Sequence, residues 1–194
     1  VVVRLAQFFA CGVLIAAGSA FASTPEYEVT MQQSYVPVSG MERVAIIPVA
    51  CPKVIECNDF EERLTAEFVA RTNLKIKTAA VVRTVMTNAR IDKLDNETGH
   101  ILAESLAVDA FLVVKIQEAV IDVAESKPAK IGMPFGGGPR NVKHVKLSLQ
   151  LLTKDGATLL AAIGEAHVTG TFSGLNGVAM HTIEVVLQKA VADR

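Results

Sequence analysis

The chain has 194 residues, 51% of them hydrophobic and 20% charged, with 19 basic against 20 acidic side chains and a mean hydropathy of +0.37. That length bounds the protein at one globular domain or two small ones, and so high an apolar fraction excludes a disordered chain. A net charge of −1 and only 5% aromatics exclude broad attraction to nucleic acid or anionic lipid, and base-stacking platforms with it.

The amino-terminal end reads as an export signal. Arg4 supplies a positive start, residues 5–17 form an apolar run broken by Gln7, and Ala20-Phe21-Ala22 places small residues where a signal peptidase needs them. This predicts a signal peptide over residues 1–22, cleavage after Ala22 and a periplasmic location. A membrane anchor is the rival reading, but the segment is barely long enough to cross the hydrocarbon layer. Cys11 is the lipidation candidate. Phe8-Phe9-Ala10 is a poor lipobox, so the sequence favours a small apolar residue inside the signal over a membrane attachment site. Removing 22 of 194 residues leaves 172, and only Cys51 and Cys57 remain. Two nearby cysteines in an exported chain predict a disulfide, since their spacing is neither C-x-x-C nor part of a four-ligand set.

Residues 23–40 carry Pro25, Pro37 and Gly40 without a helical period and read as an extended leader to a single domain over residues 41–194. Residues 44–49, Val-Ala-Ile-Ile-Pro-Val, form a continuous apolar run of the kind buried on both faces of a sheet. Asn58 with Glu61 suggests a capping box, and Phe60, Leu64 and Phe68 recur at helical spacing to about residue 71. A short strand follows at residues 74–77. Thr78 and then Asp95 or Asn96 can cap two further helices, before a second buried strand opens at Asp109 and runs towards Ile121. Residues 122–141 hold three prolines and four glycines and read as a mobile loop.

From Val142 the pattern alternates. Val145, Leu147, Leu149 and Leu151 share one face, and His144, Lys146, Ser148 and Gln150 the other. Asp155-Gly156 is a hairpin turn signal that places His144 opposite His167, Lys146 opposite Glu165, Leu147 opposite Gly164, Leu149 opposite Ala162 and Leu151 opposite Leu160. A terminal helix begins at Leu175. The expected fold is a single α/β mixed-sheet sandwich with helices packed on the sheet, in the order β-α-β-α-α-β-β-β-α.

Candidate chemistry is sparse. His144 and His167 are the one predicted pair of neighbouring metal or proton-transfer groups, but no carboxylate or cysteine is expected at the same spot, and exposed polar side chains beside the Lys146–Glu165 pair are the simpler reading. His100 and His181 fall on different helices. Gly136-Gly137-Gly138-Pro139-Arg140 lacks the phosphate-loop pattern, and Glu61 with Glu62 reads as favourable charge at a helix start. No nucleophile elbow is present, so neither an enzymatic activity nor a cofactor is expected.

Residues 43–48, Arg-Val-Ala-Ile-Ile-Pro, residues 64–69, residues 106–113 with their Ala-x-Asp-Ala turn, and residues 147–152 followed by Asp155-Gly156 occur in an order that resembles a known family. It is the periplasmic α/β domain shared by the curli-secretion component CsgG, the penicillin-binding-protein activator LpoB and the amino-terminal domain of TolB. The resemblance implies a non-enzymatic envelope protein that binds other proteins. Pore-forming relatives are lipidated and insert two alternating hairpins, and residues 122–141 lack that alternation. The expected function is therefore an envelope accessory or adaptor, with Pro134, Phe135 and Arg140 as the candidate partner-binding loop. A secretion-channel subunit and a metal-binding protein using His144 and His167 are the rivals.

Overall fold

A computed structural model of the chain describes residues 26–33, 36, 40–124, 140–169 and 174–191. The predicted signal peptide with Cys11, and the loop residues Pro134 and Phe135, lie outside the described residues. Ten elements follow in order: β1 (Glu26–Gln33), β2 (Arg43–Ile46), α1 (Cys57–Arg71), β3 (Lys75–Lys77), α2 (Ala79–Ala89), α3 (Asn96–Leu106), β4 (Ala110–Ala124), β5 (Arg140–Thr153), β6 (Thr158–Thr169) and α4 (Leu175–Val191). They build one six-stranded mixed sheet in the order β1-β6-β5-β4-β2-β3. Strand β2 is parallel to both β3 and β4, and the other pairs are antiparallel.

The expected α/β class and the element order from β2 onward are those observed, with one strand added in front. The segment read as a leader contains β1, which pairs antiparallel with β6 from Glu26 opposite His167 onward. Its Tyr27, Val29 and Met31 alternate with Glu26, Glu28 and Thr30, and the apolar set packs against the main core. The domain therefore begins before residue 41. The supposed loop at 122–141 is shorter as well, because β4 runs to Ala124 and β5 starts at Arg140.

Helices cover the two faces unequally. On one, Phe60, Leu64 and Phe68 of α1 and Val178, Ile183, Val186 and Leu187 of α4 join Val44, Ile46, Leu112, Leu147, Leu149 and Leu160 in the larger core. On the other, Val82 of α2 and Leu102, Ala103 and Leu106 of α3 form a smaller cluster with Ala45 and Phe111 of the sheet and with Ile91 and Val108, and Val113 is partly buried beside them. After the exposed Arg43, strand β2 is consequently apolar, Val44, Ala45 and Ile46 all being fully buried. Beyond Ile46 the Ile47 N–H still donates to the Leu112 carbonyl, and Pro48 then has no N–H to offer a neighbouring strand.

The β5–β6 pairing has the predicted register, reached through a different turn. Gly156 adopts φ +82°, and its N–H donates to the Thr153 carbonyl, so the connection spans residues 154–157 rather than two residues. A bulge at Leu159 then corrects the offset, and from Leu151 opposite Leu160 inward the expected partners face each other. Helix α1 also departs from expectation. Its N-cap is Glu56, with no side-chain cap bond, and the Asn58–Glu61 box is not formed. The Cys51–Cys57 disulfide, with Cα atoms 5.7 Å apart, fixes the helix start at Cys57, and Glu61 turns inward instead. Thr78 occupies the α2 N-cap without a side-chain bond, whereas Asp95 and Thr98 form a reciprocal capping box on α3.

Asp109, the acid of the Ala-x-Asp-Ala turn, ties the parallel strands together at their starts. Its Oδ2 accepts the N–H groups of both Glu42 and Arg43 at 2.9 Å. Burial works to raise the carboxyl, but those two donors and the nearby Arg43 and Lys154 charges hold it below its ordinary value. Asp109→Ala is expected to cost about 1.5–3 kcal/mol at pH 7, as measured by urea denaturation. Because the folded pKa is lowered, this contribution is complete above the unfolded value of about 3.9 and is lost as the pH falls through the folded value. Wild type and variant should therefore converge in acid.

Candidate functional site

The sheet face opposite α1 and α4 lacks a helical cover over β1, β6, β5 and the far half of β4, among the described residues. Two cross-strand rows occupy it. One runs Glu26, His167, His144, Val120, and the next Glu28, Glu165, Lys146, Glu118, each residue at a register position opposite its neighbour. A bulge at Gln117 is what brings Glu118 into the second row, since an unbroken register would have put Gln117 opposite Lys146.

The predicted His144–His167 pair is present. The rings are stacked, with centroids 4.4 Å apart and planes inclined by 10°. Both Nε2 atoms lie on one carboxylate oxygen, Glu165 Oε1, at 2.9 Å from His144 and 3.2 Å from His167. The other nitrogen of His144, Nδ1, is 3.4 Å from Glu118 Oε1. Two expectations are thus corrected. A carboxylate does sit beside the imidazoles, because Glu165 leans across the pleat from its position opposite Lys146. His144 is also largely covered, its side chain 14% exposed against 50% for His167. The Lys146 ammonium, 3.2 Å from Glu165 Oε2, is the main influence holding the Glu165 carboxyl below its ordinary value; desolvation opposes it, and the two imidazoles add to it.

The remaining histidines are apart from this cluster. His100 lies 3.5 Å from Asp155. His181 meets Tyr27 edge-on and contacts Glu184, which also pairs with Arg63 of α1. Of the proposed partner loop only Arg140 is described, as the first β5 residue, with its backbone paired to Ala124. The second polar feature is one that sequence reasoning misread. Glu61 is buried, accepts the Val49 N–H at 2.8 Å and pairs with Arg83 Nη2 at 2.7 and 2.8 Å. It lies in a groove of about 540 Å³ between α1 and α2. Arg83 stands three residues after Ala80 on the mixed face of α2, and its charge within an otherwise apolar helix start was the available signal.

Fold and face together define a small α/β protein whose mixed sheet is helix-covered on one side and partly open and polar on the other. No family model matches the chain, and no curated protein matches it. Among solved structures it is similar to the lipoprotein GNA1162 from Neisseria meningitidis, at 14% identity over 79% of this chain and 99% of that one, with a TM-score of 0.55. It is also similar to PelC from Paraburkholderia phytofirmans, which was solved as a dodecamer. There the identity is 17% over 87% of this chain and all of the other, with a TM-score of 0.51. At these identities the likeness is one of fold. Among the described residues no helix is long and apolar enough to cross a membrane.

Proposed function

We propose that this chain is an exported cell-envelope accessory protein that acts through protein contacts, as a non-enzymatic adaptor. The observation that carries this reading is the partly open sheet face, a regular lattice of half-exposed polar side chains on β1, β6, β5 and β4 that the helices among the described residues leave free. Such a surface offers charge and hydrogen-bond complementarity without an enclosed reaction site. The shared fold of a bacterial lipoprotein supports an envelope setting, as does the sequence resemblance to the CsgG, LpoB and TolB domain family.

The dodecameric assembly of PelC favours a second reading, a ring-forming subunit at a membrane. Fractionation with native and intact mass separates the two. An adaptor is expected to be released with the soluble periplasm as a chain starting at Ser23, and a ring subunit to sediment with membranes as a high-order oligomer. A chain retained wholly in the cytoplasm would defeat both.

A further inference from the structure

We infer that His144, Glu165 and His167 form a binding site for one divalent transition-metal ion, of which zinc is the most suitable. Three ligand atoms, the imidazole nitrogens and the carboxylate oxygen, all lie within 4.8 Å of one another. Two imidazoles and a carboxylate are a donor set suited to zinc, normally completed by a fourth ligand. Glu26, directly opposite His167 on β1, holds the register position from which a fourth oxygen could come, and water is the alternative.

Hydrogen-bond accounting favours a cation at this point. His144 lies between two carboxylates, Glu165 at Nε2 and Glu118 at Nδ1. A neutral imidazole has one hydrogen and can donate to only one of them, leaving the other nitrogen to turn a lone pair toward an anionic oxygen. Positive charge at the ring removes that conflict, supplied either by a second proton or by a metal bound between the two Nε2 atoms and Glu165 Oε1. With the metal bound, the His144 hydrogen resides on Nδ1 and donates to Glu118, the carboxylate–histidine–metal arrangement that orients a ligand ring and raises its basicity. The local charge agrees, since Glu26, Glu28, Glu118 and Glu165 occupy the two rows with Lys146 as their one lysine.

The scaffold is also suited to holding the ligands. All three are on β5 and β6, near one end of a long antiparallel ladder but with paired residues on both sides, so their backbones are held before any ion arrives. Binding would draw the stacked rings and the carboxylate together by rotation about their side-chain bonds, and would cross-link β5 to β6 on a face that, among the described residues, has no helical cover.

Zinc chloride titrated calorimetrically into the full chain, prepared without an affinity tag, tests this. The expected result is one saturable zinc per chain and a zinc-dependent rise in Tm. Binding should fall at least tenfold in H167A and in E165Q, and be unchanged in H100A and H181A. His167 is half exposed, so H167A should remain folded, and its circular dichroism and zinc-free Tm establish that independently. The site is overturned if the wild type shows no saturable zinc, or if H167A and E165Q bind as the wild type does.

Discussion

Gly164→Ala is expected to destabilise the protein by about 1–3 kcal/mol, although it adds a single methyl group to a β-strand. Gly164 lies on the covered face of β6, opposite Leu147 and under α4. A Cβ built there overlaps Val186 Cγ2 and comes within 3.2 Å of Thr182 Cγ2 and 3.6 Å of Leu147 Cδ1. Val186 cannot move aside cheaply, because a β-branched residue in a helix has one strongly preferred rotamer. The helix must therefore shift, and its other anchors, Val178, Ile183 and Leu187, are nearly or fully buried and resist the movement. Loss of glycine's freedom in the unfolded chain returns only about 0.4–1 kcal/mol. Urea denaturation should show a lower midpoint with an unchanged slope. The diagnostic measurement is the cycle with Val186→Ala, which removes the obstructing methyls. The double variant should be more stable than the sum of the single losses by roughly 1 kcal/mol. Additive effects, or a Gly164→Ala chain as stable as the wild type, would show that the close approach is not what requires glycine.

That contact was partly legible beforehand. The alternation from Val142 onward, with a Gly-containing turn, was enough to place Leu147 against Gly164, because a period-two pattern allows only registers that keep the apolar residues on one face. Nothing in the pattern could show that α4 would lie on the same spot. The buried strands and the α1 face were equally readable, since uninterrupted or 3.6-periodic apolar residues have few alternative uses. Strand β1 was overlooked for a different reason. Its Glu-Tyr-Glu-Val-Thr-Met alternation is a valid strand signal, but Pro25 and Pro37 on either side of it and the absence of a helical period pointed to a leader.

The polar clusters were the least legible part, and the two failed in the same way. A register calculation brought His144 to His167 but assigned Glu165 to Lys146 alone, as though each side chain met only its direct partner. Long side chains also reach a diagonal neighbour on the next strand and the residue two positions along their own, which is how Glu165 serves His144 and His167. The bulge that adds Glu118 has no signature in the residues around Gln117. Glu61 was misassigned because a carboxylate near a helix start satisfies the helix dipole without a partner. The ion that draws it inward, Arg83, is on another helix 22 residues away.

Arg83→Ala should carry the other large penalty, about 3 kcal/mol at neutral pH, at the lower end of the range for breaking a buried ion pair. The cost arises mainly from what remains. The Glu61 side chain is 7% exposed, and without Arg83 its negative charge would keep the Val49 N–H as its chief partner. The Arg83 side chain is itself 45% exposed, so truncation lets some water reach the carboxylate, which places the value towards the lower limit. Because α1 belongs to the larger core and α2 reaches from it at Ala79 into the smaller one at Val82, the pair also ties the two helical layers together near the short edge strand β3. Glu61→Gln in the Arg83→Ala background separates charge from packing. The amide still accepts the Val49 N–H but no longer buries a net charge, so the double variant should recover a large part of the lost stability. Denaturation of the three chains at constant ionic strength is the measurement. A loss below about 1 kcal/mol for Arg83→Ala would reduce the pair to an ordinary surface contact, and no recovery in the double variant would show that the arginine acts through its packed stem rather than its charge.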